Sequence, residues 1–325
     1  MKIAITGATG HVGINLVKRL IYEGHSLKVL VYKEVEILDS LNIEQVSGSL
    51  LDIESLEKLC KDADVVYHLA ALISIGADTD QKVFDINVTG TKNIVNAARN
   101  AGVKKFIHFS SIHALVHTPF DIPMDESRAV VTDSPIAYER TKAIAGEWVM
   151  EQHSKTFEVV ILNPTAIIGP EDFKPSFMGV FMKMLYNNRL PGMVPGGYDW
   201  VDVRDVVEAT FAVIEKGRGG HRYILSGKWV SVKDFADIFM KCSDKNTNLT
   251  VLPLWLARLG IPFMWIIAKL SGRRPVYTSG SLDILQSSNK HISSDKAKHE
   301  LGFNPRPIEE TISDIYHWFK ENNYL

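Results

Sequence analysis

The chain predicts a doubly wound α/β fold: a parallel sheet with helices on both faces, followed by a smaller, mostly helical C-terminal region. Three observations carry this. Short apolar runs alternate with helical patterns through the first half of the 325 residues. Those runs are continuously apolar, as strands buried on both faces are. A glycine-spaced turn, TGATGHVG (6–13), joins the first apolar run to the first helical pattern, which is where such folds place one.

The predicted strands are KIAIT (2–6), LKVLVY (27–32), IEQVSG (43–48), DVVYHLA (64–70), KKFIHFSS (104–111) and FEVVILNP (157–164). Each is rich in β-branched and aromatic residues. Helical patterns at 11–23, 53–61, 80–101 and 135–153 separate them, giving the strand–helix alternation of a parallel sheet. After Pro164 the texture changes. Residues 169–200 are rich in Gly and Pro, with a helical pattern near 176–188. VRDVVEATFAVIEKG (203–217) reads as a helix and RYILSG (222–227) as a strand, both expected to return to the sheet. The remainder reads as helical and ends in IEETISDIYHWFKEN. The expected division is residues 1–165 plus about 201–227 in the sheet domain, and about 166–200 plus 228–325 in a substrate-binding region. No repeat or low-complexity segment is visible.

Composition excludes several classes. Hydrophobic residues make up 46% and charged residues 23%, ordinary for a soluble globular protein. A formal net charge of -2 provides no field for nucleic acid or for an acidic membrane surface. Cys60 and Cys242 are the two cysteines, which gives no disulfide framework and suits a reducing compartment. The start, MKIAITGATG, lacks a signal-peptide pattern, so a cytoplasmic location is expected. The apolar stretch 249–272 is broken by Pro253, Arg258, Gly260, Pro262 and Lys269. It reads as two short helices rather than a span, and membrane contact is not expected.

The chemistry begins at the glycine turn. Gly7, Gly10 and Gly13 are three apart, at the point where a helix N-terminus attracts anions through its dipole and free N–H groups. Glycines allow the tight turn and let a pyrophosphate approach the backbone. With Ala8, Thr9, His11 and Val12 they form a dinucleotide-binding candidate. An acid at the end of the second strand would accept hydrogen bonds from a ribose 2′-OH. Here the chain has Tyr32 and Lys33, with acids only at Glu34 and Glu36. Lys33 suits a 2′-phosphate, so NADP(H) is favoured and NAD(H) is possible.

SPIAYERTK (134–142) places Tyr138 four residues before Lys142, on one helix face. A phenol titrates near 10 and is a poor acid–base group at neutral pH. A neighbouring ammonium favours the phenolate and brings it into a useful range. Ser111, at the end of the fifth strand, would hold the substrate oxygen at the sheet's carboxyl edge. His113 and His117 follow it. They are four apart but leave a strand, and no third ligand is evident, so no metal site is expected. No Gly-x-Ser-x-Gly elbow supports a hydrolase.

TGATGHVG, YHLAA, NVTGTKNIVNAA, FSS and YERTK together resemble the extended short-chain dehydrogenase/reductases, the NAD-dependent epimerase/dehydratase family. NPTAIIGPED, WVDVRDVVEA, RYILSG and ISSDKAKHELGFNPRPIEETISDIYHWFKEN resemble its dihydroflavonol 4-reductase-like branch. The likeness runs over almost the whole chain and implies a Rossmann fold. It implies that Tyr138 donates or accepts the proton, that Lys142 lowers its pKa and binds the nicotinamide ribose, and that Ser111 polarises the carbonyl. It implies that Thr6 to Gly13 cradle the pyrophosphate and that Asp52, with the adjoining Ile53, lies near the adenine. Ala70 and Ala71 line the cofactor, Asn87 is structural or water-binding beside it, and Pro164 and Ile167 pass the nicotinamide amide. Two departures stand out: Tyr32 occupies a position where the branch often has arginine, and His113 and His117 replace small or aromatic residues.

The expected activity is hydride transfer between NADP(H) and a ketone or aldehyde of apolar character, the latter because LPLWLARLGIPFMWIIAKL would cover the cleft. The alternatives are an NAD-dependent nucleotide-sugar epimerase or dehydratase and, from another class, a non-catalytic NADP(H)-sensing protein. A homodimer through helices 80–101 and 135–153 is possible.

Overall fold

The structure, a computed structural model, describes residues 1–32, 36–74, 78–190, 192–243, 245, 250–261, 282, 285 and 288–325. Six strands alternate with helices as the patterning predicts: β1 (Lys2–Thr6), β2 (Ser26–Val31), β3 (Glu44–Ser47), β4 (Val65–His68), β5 (Lys105–Phe109) and β6 (Glu158–Pro164). β7 (Ala166–Ile168) and β8 (Gly197–Asp202) leave the sheet, β9 (His221–Leu225) returns to it, and β10 (Lys228–Ser231) leaves again. The main sheet has the order β3-β2-β1-β4-β5-β6-β9. All its pairings are parallel. The order reverses between β1 and β4, and this is where open α/β sheets form their ligand crevice.

Helices α1 (His11–Tyr22), α2 (Glu36–Asp39), α3 (Ile53–Cys60), α4 (Asp80–Phe84), α5 (Gly90–Asn100), α6 (Ala137–Glu151), α7 (Phe177–Tyr186), α8 (Val203–Lys216) and α9 (Val232–Cys242) fill the connections. Alternate strand residues face opposite layers. Ile3, Ile5, Val29, Tyr67 and Leu162 pack with α1 and α8 on one side. Ala4, Val66, Phe106 and Ile161 pack with residues of α3 and α5 on the other.

Two details depart from the sequence reading. The predicted helix 80–101 is interrupted by a π-helical stretch, Asp85–Thr89, between α4 and α5. The C-terminal part is not purely helical: β10-β8-β7 form a second, three-stranded sheet. β8 runs parallel to β7 and antiparallel to β10. These strands are short and sit in Gly-rich surroundings, so they lack the long apolar run of a buried strand. Packing supplies what periodicity does not. Trp200 is buried against Phe235 of α9, with ring centroids 4.9 Å apart, and its indole N–H donates to the Val230 carbonyl at 3.0 Å. The terminal helix Ile308–Glu321 completes this second core through Ile312, Ile315 and Phe319.

Of the apolar stretch 249–272, residues 254–261 are helical, and the rest lies outside the described residues apart from 250–253. Among the described residues, no helix is long and apolar enough to cross a membrane.

Candidate active site

The carboxyl ends of β1, β2, β4, β5 and β6 open on one edge, and nearly every predicted site residue lies there. Gly7 to Gly13 form the turn from β1 into α1. Gly7 has φ +78°, and a Cβ on it would stand 2.6 Å from the Ala70 nitrogen. A Cβ on Gly13 would stand 2.1 Å from the Gly7 carbonyl oxygen. The turn is therefore as tight as glycine permits. Gly10 caps α1 without a side-chain hydrogen bond, and the first turn carries no acidic residue. Its N–H groups meet no carboxylate of the helix's own first turn, which suits a phosphate. Ala8 is buried within the turn, and Thr9 and Val12 are half-buried. The His11 ring meets the Pro170 carbonyl at 2.9 Å and Lys18 pairs with Glu171 at 2.6 Å, so the segment after β7 is tied to the start of α1.

Tyr32 follows β2 and is 75% exposed. Lys33 lies outside the described residues. Asp52 caps α3 by accepting from the Ser55 N–H at 3.4 Å, and Ile53 beside it is exposed. Ala70 and Ala71 follow β4 and are half-buried. Pro164 ends β6 and Ile167 lies in β7.

Asn87 is wholly committed to the protein. Its carbonyl accepts from the Leu72 N–H at 2.7 Å, and its amide donates to the Leu72 carbonyl and to Thr141 Oγ1, both at 3.1 Å. It lies in the π-helical stretch, a local widening that often occurs at functional sites. A buried polar chain continues from it. Thr91 Oγ1 donates to the Asn87 carbonyl at 2.6 Å, and the His68 ring links Thr91 (2.9 Å) to Thr6 (2.7 Å). At the other end Thr141 Oγ1 donates to the Tyr138 carbonyl at 3.1 Å. The glycine turn and the first turn of α6 are thus joined through the interior. Sequence reading missed His68, Thr91 and Thr141. The signal available was a polar residue closing the apolar run VVYH.

Ser111 and Tyr138 meet. The Ser111 side chain lies close enough to the Tyr138 phenol to favour its ionised form, and Ser111 Oγ accepts the His113 backbone N–H at 3.2 Å. Asn163, a second polar residue in an apolar strand that sequence reading passed over, donates to the Ser111 carbonyl at 2.7 Å. Lys142 is 3% exposed and donates to the Phe109 carbonyl at 2.5 Å.

The electrostatics correct one expectation. Lys142 was expected to depress the Tyr138 pKa. Instead burial raises it, partly offset by the Ser111 hydrogen bond, while the Glu139 carboxylate adds to the rise. Lys142 itself is pushed down to about 7 by burial. An ammonium stripped of water, with no carboxylate paired to it in the site, cannot hold its charge as it does in solution. His113 is lowered to about 3 by burial and by His117, and His117 to about 4 by burial and by Arg128. Their rings stack 5.3 Å apart.

Comparison with known proteins gives the family. The chain is 30% identical over 329 residues to "Sterol demethylase protein B" of Methylococcus capsulatus, covering 100% of both chains. It is 28% identical over 331 residues to a Synechocystis sp. protein provisionally named dihydroflavonol 4-reductase, covering 99% of this chain and 95% of the relative. The solved structure of gox2253 superposes with a TM-score of 0.85 at 29% identity, covering 100% of this chain and 99% of that one. Residues 3–226 match the family model described as "NAD dependent epimerase/dehydratase family". With the glycine turn at one end of the crevice and Ser111, Tyr138 and Lys142 at the other, the chain belongs to that family, the extended short-chain dehydrogenase/reductases.

Proposed function

We propose that this protein is an NADP(H)-dependent carbonyl reductase, working in reverse as an alcohol dehydrogenase, on ketones or aldehydes of apolar character. The juxtaposition of Ser111 with Tyr138, one helical turn from buried Lys142, carries this reading. A bound nicotinamide dinucleotide would supply the hydride to the carbonyl carbon, and its phosphates suit the glycine turn. Ser111 donates a hydrogen bond to the carbonyl oxygen and holds it beside the Tyr138 hydroxyl. Tyr138 gives its proton to the developing alkoxide. Lys142 offers its remaining N–H donors to the ribose. Gly7 to Gly13, Tyr32, Lys33, Asp52, Ile53, Ala70, Ala71, Pro164 and Ile167 line the nucleotide, with Asn87 holding the loop after Ala71. The absence of an acid at positions 32 and 33 supports NADP(H) over NAD(H).

We assign substrate binding to residues of about 166–200 and 228–325, and an apolar substrate to the cleft they cover. The names of the two curated relatives point the same way, one to a sterol and one to reduction of a dihydroflavonol. The two reduced cysteines suit the cytoplasm. A homodimer through the α4–α5 segment and α6 fits the same reading.

The test follows NADPH and NADH consumption across a panel of apolar ring ketones, aldehydes and nucleotide sugars. Consumption of NADPH with apolar ketones is expected. Turnover of nucleotide sugars alone, with NAD retained through purification, would replace this reading with an epimerase or dehydratase. Nucleotide binding without turnover of any compound would leave a sensing protein.

A further inference from the structure

Glu139 follows Tyr138 directly on the first turn of α6. One carboxyl oxygen lies 3.6 Å from His113 Nδ1, and the other accepts from Ser134 Oγ at 2.7 Å. Ser134 Oγ in turn accepts the Ile136 N–H at 3.1 Å, where the chain enters the helix. His113 lies in the 3₁₀ turn Ile112–Ala114, and its N–H holds Ser111 Oγ, which reaches Tyr138. Ser111, His113 and Glu139 therefore form a chain of contacts that runs from the turn after β5 to the residue next to Tyr138. His113 is backed by the stacked ring of His117, whose carbonyl accepts from Asn289 Nδ2 at 3.0 Å.

We propose that Glu139 and His113 are a positioning pair for Ser111 and Tyr138, tying the turn after β5 to the first turn of α6. The proposal rests on the reductase reading for what Tyr138 does, but the geometry it uses is independent of the substrate.

The charges around these contacts define the effect. His113 and His117 are neutral at physiological pH, so the 3.6 Å contact joins an imidazole to a carboxyl group and is not an ion pair. Of the other charged groups near, Arg140 on α6 is held by Asp80 at 2.9 Å and by the Ser134 carbonyl at 2.5 Å. Arg128 is spent on the carbonyls of Pro119 (3.0 Å) and Ile122 (2.8 Å). Lys142 is on the same helix, bound to Phe109. Among the described residues, the Glu139 carboxylate is the charge that adds to burial in opposing a phenolate at Tyr138. Burial also raises the Glu139 pKa, so this opposition switches on as Glu139 ionises.

The experiment uses the full chain with NADPH. Ionisation of Tyr138 is followed by NMR of isotope-labelled tyrosine rings, the resonance being assigned by its loss in Tyr138→Phe. Glu139→Gln should move that ionisation to lower pH and carry the Tyr138 limb of the kcat/KM profile with it, with nucleotide affinity unchanged. His113→Leu should lower kcat on the order of tenfold, the cost of loosening a catalytic group. His113→Asn keeps a nitrogen near the Nδ1 position and should restore most of the loss. An unmoved Tyr138 ionisation in Glu139→Gln overturns the proposal, as does equal kcat in the two His113 variants. Should Glu139→Gln not fold, the His113 comparison decides alone. Should the wild type turn over no carbonyl compound, the reductase reading fails while the NMR titration still decides the role of Glu139.

Discussion

Ser111 stands beside Tyr138: Ser111 lies just past β5 and Tyr138 on the first turn of α6, 27 residues later in the chain. The two side chains define where a substrate oxygen would sit, within reach of both.

Tyr138→Phe should separate chemistry from binding. It removes the proton donor but keeps the ring. We expect kcat to fall on the order of a hundredfold or more, the usual weight of a positioned acid–base group, while the Kd for NADPH stays within about twofold. Steady-state kinetics and fluorescence titration of the nucleotide check both. Retained turnover would remove Tyr138 from the mechanism.

Gly13→Ala should damage nucleotide binding and stability together. The added Cβ would lie 2.1 Å from the Gly7 oxygen and 2.7 Å from the Ala8 Cα, both backbone atoms that cannot swing away. Overpacking of this kind costs about 1–3 kcal/mol. Urea unfolding should show the loss, and NADPH affinity should drop by more than stability alone explains because the turn widens.

Lys142→Met should give an inactive but more stable protein near neutral pH. The folded-state pKa of Lys142, about 7, lies below its ordinary 10.5. Between those values the unfolded chain binds the extra proton, so the lysine's contribution to stability rises with pH across that window. Below about pH 7 the full penalty of a buried ammonium applies. The variant's advantage, on the order of a few kcal/mol, should therefore be greatest at or below pH 7 and vanish above pH 10.5. Denaturant midpoints measured across that range test the sign.

Acid should destabilise the fold before its carboxylates titrate. His68 and His113 are pushed down to about 3, His117 to about 4, and His108 well below its ordinary 6.5, all chiefly by burial. As pH falls through 6.5 the unfolded chain takes up protons that the folded chain refuses, so stability declines from there towards about pH 4. His108→Leu should flatten this decline by about one proton. It should also stabilise the protein at neutral pH by about 1 kcal/mol or more, because both His108 ring nitrogens are buried without a hydrogen-bond partner. Thermal unfolding against pH reads both effects.

Most of the sheet was legible because its strands are buried on both faces and so carry unbroken apolar runs. KIAIT and FEVVILNP needed no context to be placed. The neighbourhood of Ser111 and Tyr138 was expected from a Ser-terminated strand followed by a tyrosine and a lysine one turn apart, and the fold brings Ser111 beside the first turn of α6. β7, β8 and β10 were not legible: three to six residues each, they hold together through Trp200, Phe235 and pairing across 30 residues. Asn87 was legible as a residue but not as a clamp, because its three partners lie at Leu72 and Thr141.

The sequence by itself determined the alternation of strand and helix, the glycine turn between β1 and α1, and which titratable side chains stand at the sheet's carboxyl edge, because periodicity, backbone freedom and side-chain chemistry are local properties. Only the tertiary structure decided the charge state of those residues. Whether Lys142 keeps its proton, whether Tyr138 is pushed towards or away from the phenolate, and whether His113 faces Glu139 all depend on desolvation and on partners far away in the chain, and neither is written in any short stretch of residues.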